Sequence, residues 1–252
     1  MAVPLPEAFL GRPIAHRAYH DRSAGRPENS RAAVRAAVAA GYGIEIDLQP
    51  SADGVPMVFH DYDLRRLTGR TGRVRGLTAA ELGATALTGG DEGIPTLAEV
   101  LEIVAGQVPL LVEIKDQDGG MGPEVGALEE VAAALLKGYA GPLAVMSFNP
   151  HAVAAFHALA PEVAIGLTTS AYDPEGWPLL PAKTRDHLRM IPDFERLGCS
   201  FISHEAADLG APRVAELAQK GAAILCWTIR SPEAEAAARQ IARNITFEGY
   251  AA

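Results

Sequence analysis

The sequence predicts an α/β protein: a (β/α)8 barrel of parallel strands and covering helices, with a small insertion after the second strand and a missing or rudimentary last helix. Three observations predict it. Short apolar runs alternate with Ala-rich segments of helical spacing along the whole chain, and such alternation builds parallel sheets with helical crossovers. Eight such units fit in 252 residues, and about 250 residues is the usual size of a complete barrel of this kind. No Gly-x-Gly-x-x-Gly follows the first apolar run, which removes the main signal for an open dinucleotide-binding sheet. One domain over 1–252 is expected, with 61–93 as its insertion.

In chain order, strands are predicted at 14–17, 43–49, 110–115, 143–148, 163–169, 200–204, 222–229 and 244–248. Helices are predicted at 30–40, 97–105, 124–139, 151–160, 183–197, 212–220 and 232–243. Asn29 or Ser30, Thr96, Asn149 before Pro150, and Ser231 before Pro232 are helix-start signals. Gly41, Gly106, Gly198 and Gly221 fit helix ends. The stretch 61–93 is rich in Gly, Thr and Arg and breaks the alternation, and almost nothing follows the last strand.

The net charge of −9 argues against a nucleic-acid or acidic-membrane partner. It leaves room for an anionic substrate, because one metal ion or a local cationic cluster reverses the field in a pocket. Two isolated cysteines, Cys199 and Cys226, read as small apolar strand residues rather than a disulfide framework or zinc site. The first residues lack a basic segment followed by an apolar run, and no stretch has the ~18 apolar residues of a membrane span. A cytoplasmic protein with no stable membrane insertion is expected.

The second strand reads Gly43-Ile44-Glu45-Ile46-Asp47-Leu48-Gln49. Side chains alternate along a strand, so Glu45 and Asp47 share one face while Ile44, Ile46 and Leu48 share the other. In a barrel the carboxylates aim inward near the strand's C-terminal end. In the third predicted strand, Glu113 and Lys115 share a face opposite Val112 and Ile114. Neighbouring buried carboxylates repel and resist desolvation, and a divalent cation relieves both problems. Glu45, Asp47 and Glu113 are therefore candidate ligands of one hard cation, Mg2+ or Ca2+. For any one acid alone a rim salt bridge is the plainer reading, and Lys115 offers Glu113 a metal-free partner. The repetition on consecutive strands favours the metal.

His16 and His60 stand at the ends of apolar segments, suited to move protons in phosphoryl chemistry. Arg17 offers a planar fork for phosphate oxygens. His20, His151, His157, His187 and His204 carry the plainer reading of hydrogen-bonding residues, least firmly His204, which also ends a strand. Asn149 reads as a turn and cap residue near Ser147, and Trp227 as pocket wall or core. Arg65, Arg66, Arg70, Arg73 and Arg75 read as a solvated loop face, and Asp91 and Glu92 as solvated surface.

The ordered set Ile14-Ala15-His16-Arg17, Pro27-Glu28-Asn29, Glu45-Ile46-Asp47, Asp53-Gly54, His60-Asp61, Glu113-Ile114-Lys115, Ser147-Phe148 and Trp227-Thr228 resembles the glycerophosphodiester phosphodiesterase family over nearly the whole chain. The resemblance implies the same barrel with its insertion, and metal ligands at Glu45, Asp47 and Glu113. It implies paired acid–base histidines at His16 and His60 and phosphate or substrate contacts at Arg17 and Lys115. Glu28 and Asn29 would be mainly structural. The implied reaction is hydrolysis of a small glycerophosphodiester to an alcohol and sn-glycerol 3-phosphate, with the glycerol 2-hydroxyl attacking first to give a cyclic phosphate that water opens. Two departures stand out. Ala18 replaces the usual Gly after His-Arg, which favours a different path for the first loop, and Glu248 stands where an Asp-containing segment is common. The alternatives are a lysophospholipase D or sphingomyelinase D type of lipid phosphodiesterase, disfavoured by few exposed aromatics in the loops, and a non-catalytic anion-binding barrel.

Overall fold

Residues 2–252 are described by a computed structural model. Nine strands form one sheet: β1 (Ile14–Ala15), β2 (Gly43–Pro50), β3 (Pro56–Val58), β4 (Leu110–Ile114), β5 (Leu143–Ser147), β6 (Ala164–Thr169), β7 (Phe201–Glu205), β8 (Ala223–Ile229) and β9 (Asn244–Phe247). β1 pairs in parallel with both β2 and β9, which closes eight of them into a barrel. The ninth, β3, pairs antiparallel with β2, so the apolar segment before His60 is a hairpin strand outside the barrel.

The helices are α1 (Arg31–Ala40), α2 (Arg65–Thr68), α3 (Ala79–Gly83), α4 (Leu97–Val104), α5 (Ala127–Leu136), α6 (Pro150–Leu159), α7 (Ala182–Arg189), α8 (Asp193–Leu197), α9 (Pro212–Gln219) and α10 (Pro232–Ala238). Among the described residues none follows β9, as the sequence predicts. Ser30, Thr96, Asn149 and Ser231 each accept a backbone N–H at a helix start. Predicted helix 183–197 is split into α7 and α8, because Pro192 lacks an N–H and the residue before a proline avoids helical angles; Ile191 takes φ +45°. The 124–139 prediction shortens to α5, entered through Gly126 at φ +123°.

Alternation divides the core. Ile44, Ile46, Leu48, Val112 and Ile114 face the helices and pack with Val34, Val100 and Phe156. Ile14, Leu111, Met146, Phe201 and Leu225 face inward and fill the lower barrel, where Leu5 and Phe9 of the N-terminal segment plug it. Asn244 anchors that plug, donating from Nδ2 to the carbonyls of Phe9 (2.6 Å) and Arg12 (2.8 Å). The upper barrel is left for polar side chains.

The insertion has its own core of Met57, Phe59, Leu64, Leu67, Val74, Leu82, Leu87 and Ile94, and so reaches beyond 61–93 on both sides. Gly93 is required there: a Cβ would lie 1.8 Å from the Gly83 carbonyl oxygen. Glu92 is not merely solvated. Its carboxylate accepts the N–H groups of Arg31 (3.1 Å) and Ala32 (2.9 Å), satisfying free donors at the positive end of α1.

Candidate active site

The parallel register sets Asp47 directly beside Glu113. Two residues back on the same face of β2 sits Glu45. One oxygen from each of the three carboxylates lies within 4.8 Å of the others, and the residues are only 2 %, 2 % and 5 % exposed. Burial, followed by repulsion from Asp47 and Glu113, pushes Glu45 well above the usual carboxylate range. Asp47 is equally desolvated, but the charges of His60, Lys115 and Arg17 and a hydrogen bond from Asn29 hold it below that range. Lys115 Nζ lies 2.6 Å from Glu113 Oε1 and 3.4 Å from Asp47 Oδ1. Burial lowers the pKa of Lys115, but Glu113 and Asp47 outweigh it and keep it protonated. Lys115 and Arg17 thus neutralise part of the cluster, while Glu45 is crowded by charge that a divalent cation would relieve. The donor set fits a hard, oxygen-seeking cation.

Arg17 and Ala18 turn the chain abruptly after β1, with φ of +52° and +64°. Predicted strand 14–17 therefore stops at Ala15. Ala18 accepts the left-handed angle that glycine favours. The turn is pinned by Glu45, whose Oε2 accepts Arg17 N (2.8 Å) and whose carbonyl accepts Ala18 N (3.0 Å). Glu28 and Asn29 are support residues: Glu28 Oε1 accepts Arg17 Nη1 at 2.8 Å, and Asn29 Nδ2 donates to Asp47 Oδ2 at 2.9 Å.

Each histidine is backed by a carboxylate. His16 Nδ1 is 2.6 Å from Glu248 Oε2, and His60 Nδ1 is 2.7 Å from Asp61 Oδ1. Arg230 Nε lies 2.8 Å from Glu248 Oε1, and Arg66 Nε 2.6 Å from Asp61 Oδ2. Such contacts on Nδ1 fix ring orientation and leave Nε2 for chemistry. Burial lowers the pKa of His16, only partly offset by Glu248. Glu248 is itself desolvated, yet its hydrogen bond with His16 and the nearby His20 and Arg230 hold it far below the carboxylate range.

His16, Arg17, Glu45, Asp47, His60, Glu113, Lys115 and Trp227 line one inner pocket of about 130 Å3. Three buried polar atoms of its wall have no hydrogen-bond partner: Arg17 Nε, Ser203 Oγ and Thr246 Oγ1. Buried polar groups are nearly always paired, so these atoms suit an oxygen-rich ligand. The inner pocket shares His60, Glu113, Lys115, Phe148 and Trp227 with an outer cleft of about 680 Å3. Tyr62, Met121, Phe148, Trp177 and Trp227 make the cleft's apolar wall. Among the described residues Tyr62 is the one exposed aromatic, as the sequence predicts. The cleft wall is built from half-buried rings, Phe148 lying tilted 5.0 Å from Trp177 and edge-on 5.5 Å from Trp227.

Other candidates resolve plainly. Asn149 caps α6 and donates to Asp116 Oδ1 at 2.7 Å, and Ser147 Oγ donates to the Ile114 carbonyl at 2.6 Å. His204 faces the helices, between Thr169 and Asp208. Arg70 donates to Thr85 and Arg75 to the Gln117 carbonyl, whereas Arg66 binds two carboxylates at the site instead of facing only solvent. Sequence reasoning gave no site role to Ser203, Thr246 or Trp177, and noted Glu248 only as a departure from the family's last segment.

Comparison with known proteins agrees with this geometry. The pattern of the glycerophosphoryl diester phosphodiesterase family matches residues 16–246. A glycerophosphodiester phosphodiesterase of Caldanaerobacter subterraneus subsp. tengcongensis is 32% identical over 173 residues, 65% of this chain and 69% of that protein. Glycerophosphodiester phosphodiesterase 1 of Bos taurus is 44% identical over 71 residues, 27% of this chain and 20% of that protein; against the human protein of the same name the match spans 33% of its length. The structure of an Oleispira antarctica phosphodiesterase in complex with the product sn-glycerol-3-phosphate superposes with a TM-score of 0.77 at 27% identity, over 96% of this chain and 94% of that one. The fold alone is shared with a Thermotoga maritima glycerophosphodiester phosphodiesterase, TM-score 0.70 at 23% identity over 94% of each chain. A barrel with this ordered set of residues at its upper end, matched along nearly its whole length, belongs to the glycerophosphoryl diester phosphodiesterase family.

Proposed function

We propose that this protein hydrolyses glycerophosphodiesters to an alcohol and sn-glycerol 3-phosphate. The observation that carries the reading is the inner pocket, where three converging carboxylates, two carboxylate-backed histidines and Arg17, whose Nε lies 3.7 Å from Asp47 with no hydrogen-bond partner, meet. Glu45, Asp47 and Glu113 would hold a divalent cation, Mg2+ or Ca2+, which when bound supplies Lewis acidity and a template for the phosphodiester. Arg17 and Lys115 bind the phosphate and take up its charge. One of His16 and His60 removes the proton of the attacking glycerol 2-hydroxyl and the other protonates the departing alcohol; water then opens the resulting cyclic phosphate to sn-glycerol 3-phosphate, with the two proton transfers reversed. Trp227 bounds both inner pocket and cleft and walls the substrate.

Residues 1–252 act as one domain in this reading, with the insertion supplying His60's support. A small-molecule substrate, and no nucleic acid, fits a net charge of −9 and a narrow pocket. No helix of the described residues is long and apolar enough to cross a membrane. A cytoplasmic location is in keeping with two unpaired, buried cysteines, Cys199 and Cys226.

A lysophospholipase D type of activity is the second reading, favoured by the aromatic wall of the outer cleft. Glycerophosphocholine and lysophosphatidylcholine, each assayed with Mg2+, Ca2+ or EDTA, separate the readings. Turnover of the first substrate that EDTA abolishes is the expected result. Preference for the second moves the assignment to the lipid enzyme, and no turnover with any cation would leave a binding barrel.

A further inference from the structure

Arg66 joins two parts of the site that come from different segments. It lies on α2 in the insertion. Its Nε and Nη2 donate to Asp61 at 2.6 and 3.0 Å, and its Nη1 and Nη2 donate to Glu28 at 2.7 and 2.8 Å. Asp61 backs His60, and Glu28 accepts Arg17 Nη1 at 2.8 Å. All three guanidinium nitrogens are engaged, so no free fork is left for a substrate.

We propose that Arg66 is a positioning residue that sets the spacing of His60 and Arg17 by clamping Asp61 and Glu28. The inference rests on the reading that His60 and Arg17 act on the phosphodiester. Arg66 is 46% exposed, and a single ion pair at that exposure contributes little. Geometry gives it weight: one planar fork meets two carboxylates that would otherwise repel each other. A lysine offers a point charge and cannot serve both in the same way.

The test measures kcat and KM of R66M, R66K, D61N, E28Q and the double variant R66M/D61N on glycerophosphocholine with Mg2+, with thermal melting of each. R66M should lower kcat about ten- to hundredfold and raise KM, as expected for a group supporting a catalytic imidazole. R66K should recover little of the loss, and R66M/D61N should be no worse than the poorer single variant. R70M, which removes the arginine held by Thr85 in the same insertion, should stay within about twofold of wild type. If R66M melts early, R66K decides, since it keeps the charge and the stem. Wild-type kcat in R66K, or losses in R66M and D61N that multiply, would overturn the clamp. H60A is the reference: activity retained in H60A overturns the underlying reading and the clamp with it, whereas inactive H60A beside fully active R66K overturns the clamp alone.

Discussion

The two histidine arms reach the same arrangement by different routes. His60 takes its carboxylate from the next residue and its arginine from six residues on. His16 takes its carboxylate, Glu248, from 232 residues away, across the seam where β1 meets β9. The His60 side chain is 30% exposed and opens on the apolar cleft, while that of His16 is 12% exposed and meets only the inner pocket. One arm is local, folded with the insertion and turned outward. The other exists only when the barrel is closed. A histidine–carboxylate pair therefore has to be sought in contacts across strands as well as in motifs along the chain.

The largest test of this symmetry is removal of the imidazoles. H16A and H60A should each lower kcat by at least ~10² with KM less affected, if both move protons in the chemical step. A variant with near-normal kcat removes its arm from the chemistry. Next come the carboxylates. E248Q and D61N should each lower kcat about ten- to hundredfold. Each carboxylate also accepts from an arginine, but Glu248 lies in addition 3.6 Å from His20, so E248Q should be the more damaging; equal losses would show that this extra neighbour does nothing. The arms should also differ in acid. Glu248 has its folded pKa pushed below its unfolded value, so its stabilisation is full above about pH 4.3 and is lost as pH falls through the folded pKa. His16 is held neutral, so the folded state also loses stability as pH drops below about 6.5. Melting temperatures between pH 7 and 3 should fall more steeply for wild type than for E248Q, and parallel curves would deny Glu248 this role.

The smallest effect concerns the turn beside His16. Ala18 sits at φ +64°, where a Cβ costs about 1–2 kcal/mol. Ala18→Gly relieves that cost but loosens the unfolded chain by about 0.4–1 kcal/mol. The net gain in denaturation midpoint should correspond to between zero and about 1.6 kcal/mol, with kcat unchanged. A clear loss of stability would mean that the Ala18 methyl, buried in the core, matters more than its backbone angle.

Legibility in the sequence follows the same division. Glu45, Asp47 and Glu113 were readable because strand alternation is local and two parallel neighbours share a register. The barrel was readable because its alternation runs the length of the chain. Helix 183–197 was over-extended because its periodicity hid the break that Pro192 forces. Glu92 looked like a surface charge because its partners at the start of α1 lie about sixty positions away, and Arg66 because Glu28, which ties it to Arg17, lies 38 positions away although Asp61 is near. Ser203, Thr246 and Trp177 carry no local signature at all: their place at the site is set by the closure of the barrel and the packing of its loops.

The seam between β1 and β9 has a consequence for biogenesis. The His16–Glu248 contact spans 232 residues, and Asn244 holds the plug carbonyls of Phe9 and Arg12 across 235 and 232 residues. Closing so long a loop is entropically costly and slow. During vectorial synthesis the hairpin and insertion can settle first, while the His16 arm waits for the last strand to leave the ribosome. A nascent chain ending before β9 would lack both Glu248 and the strand that closes the seam, so the His16 arm forms only once β9 is made.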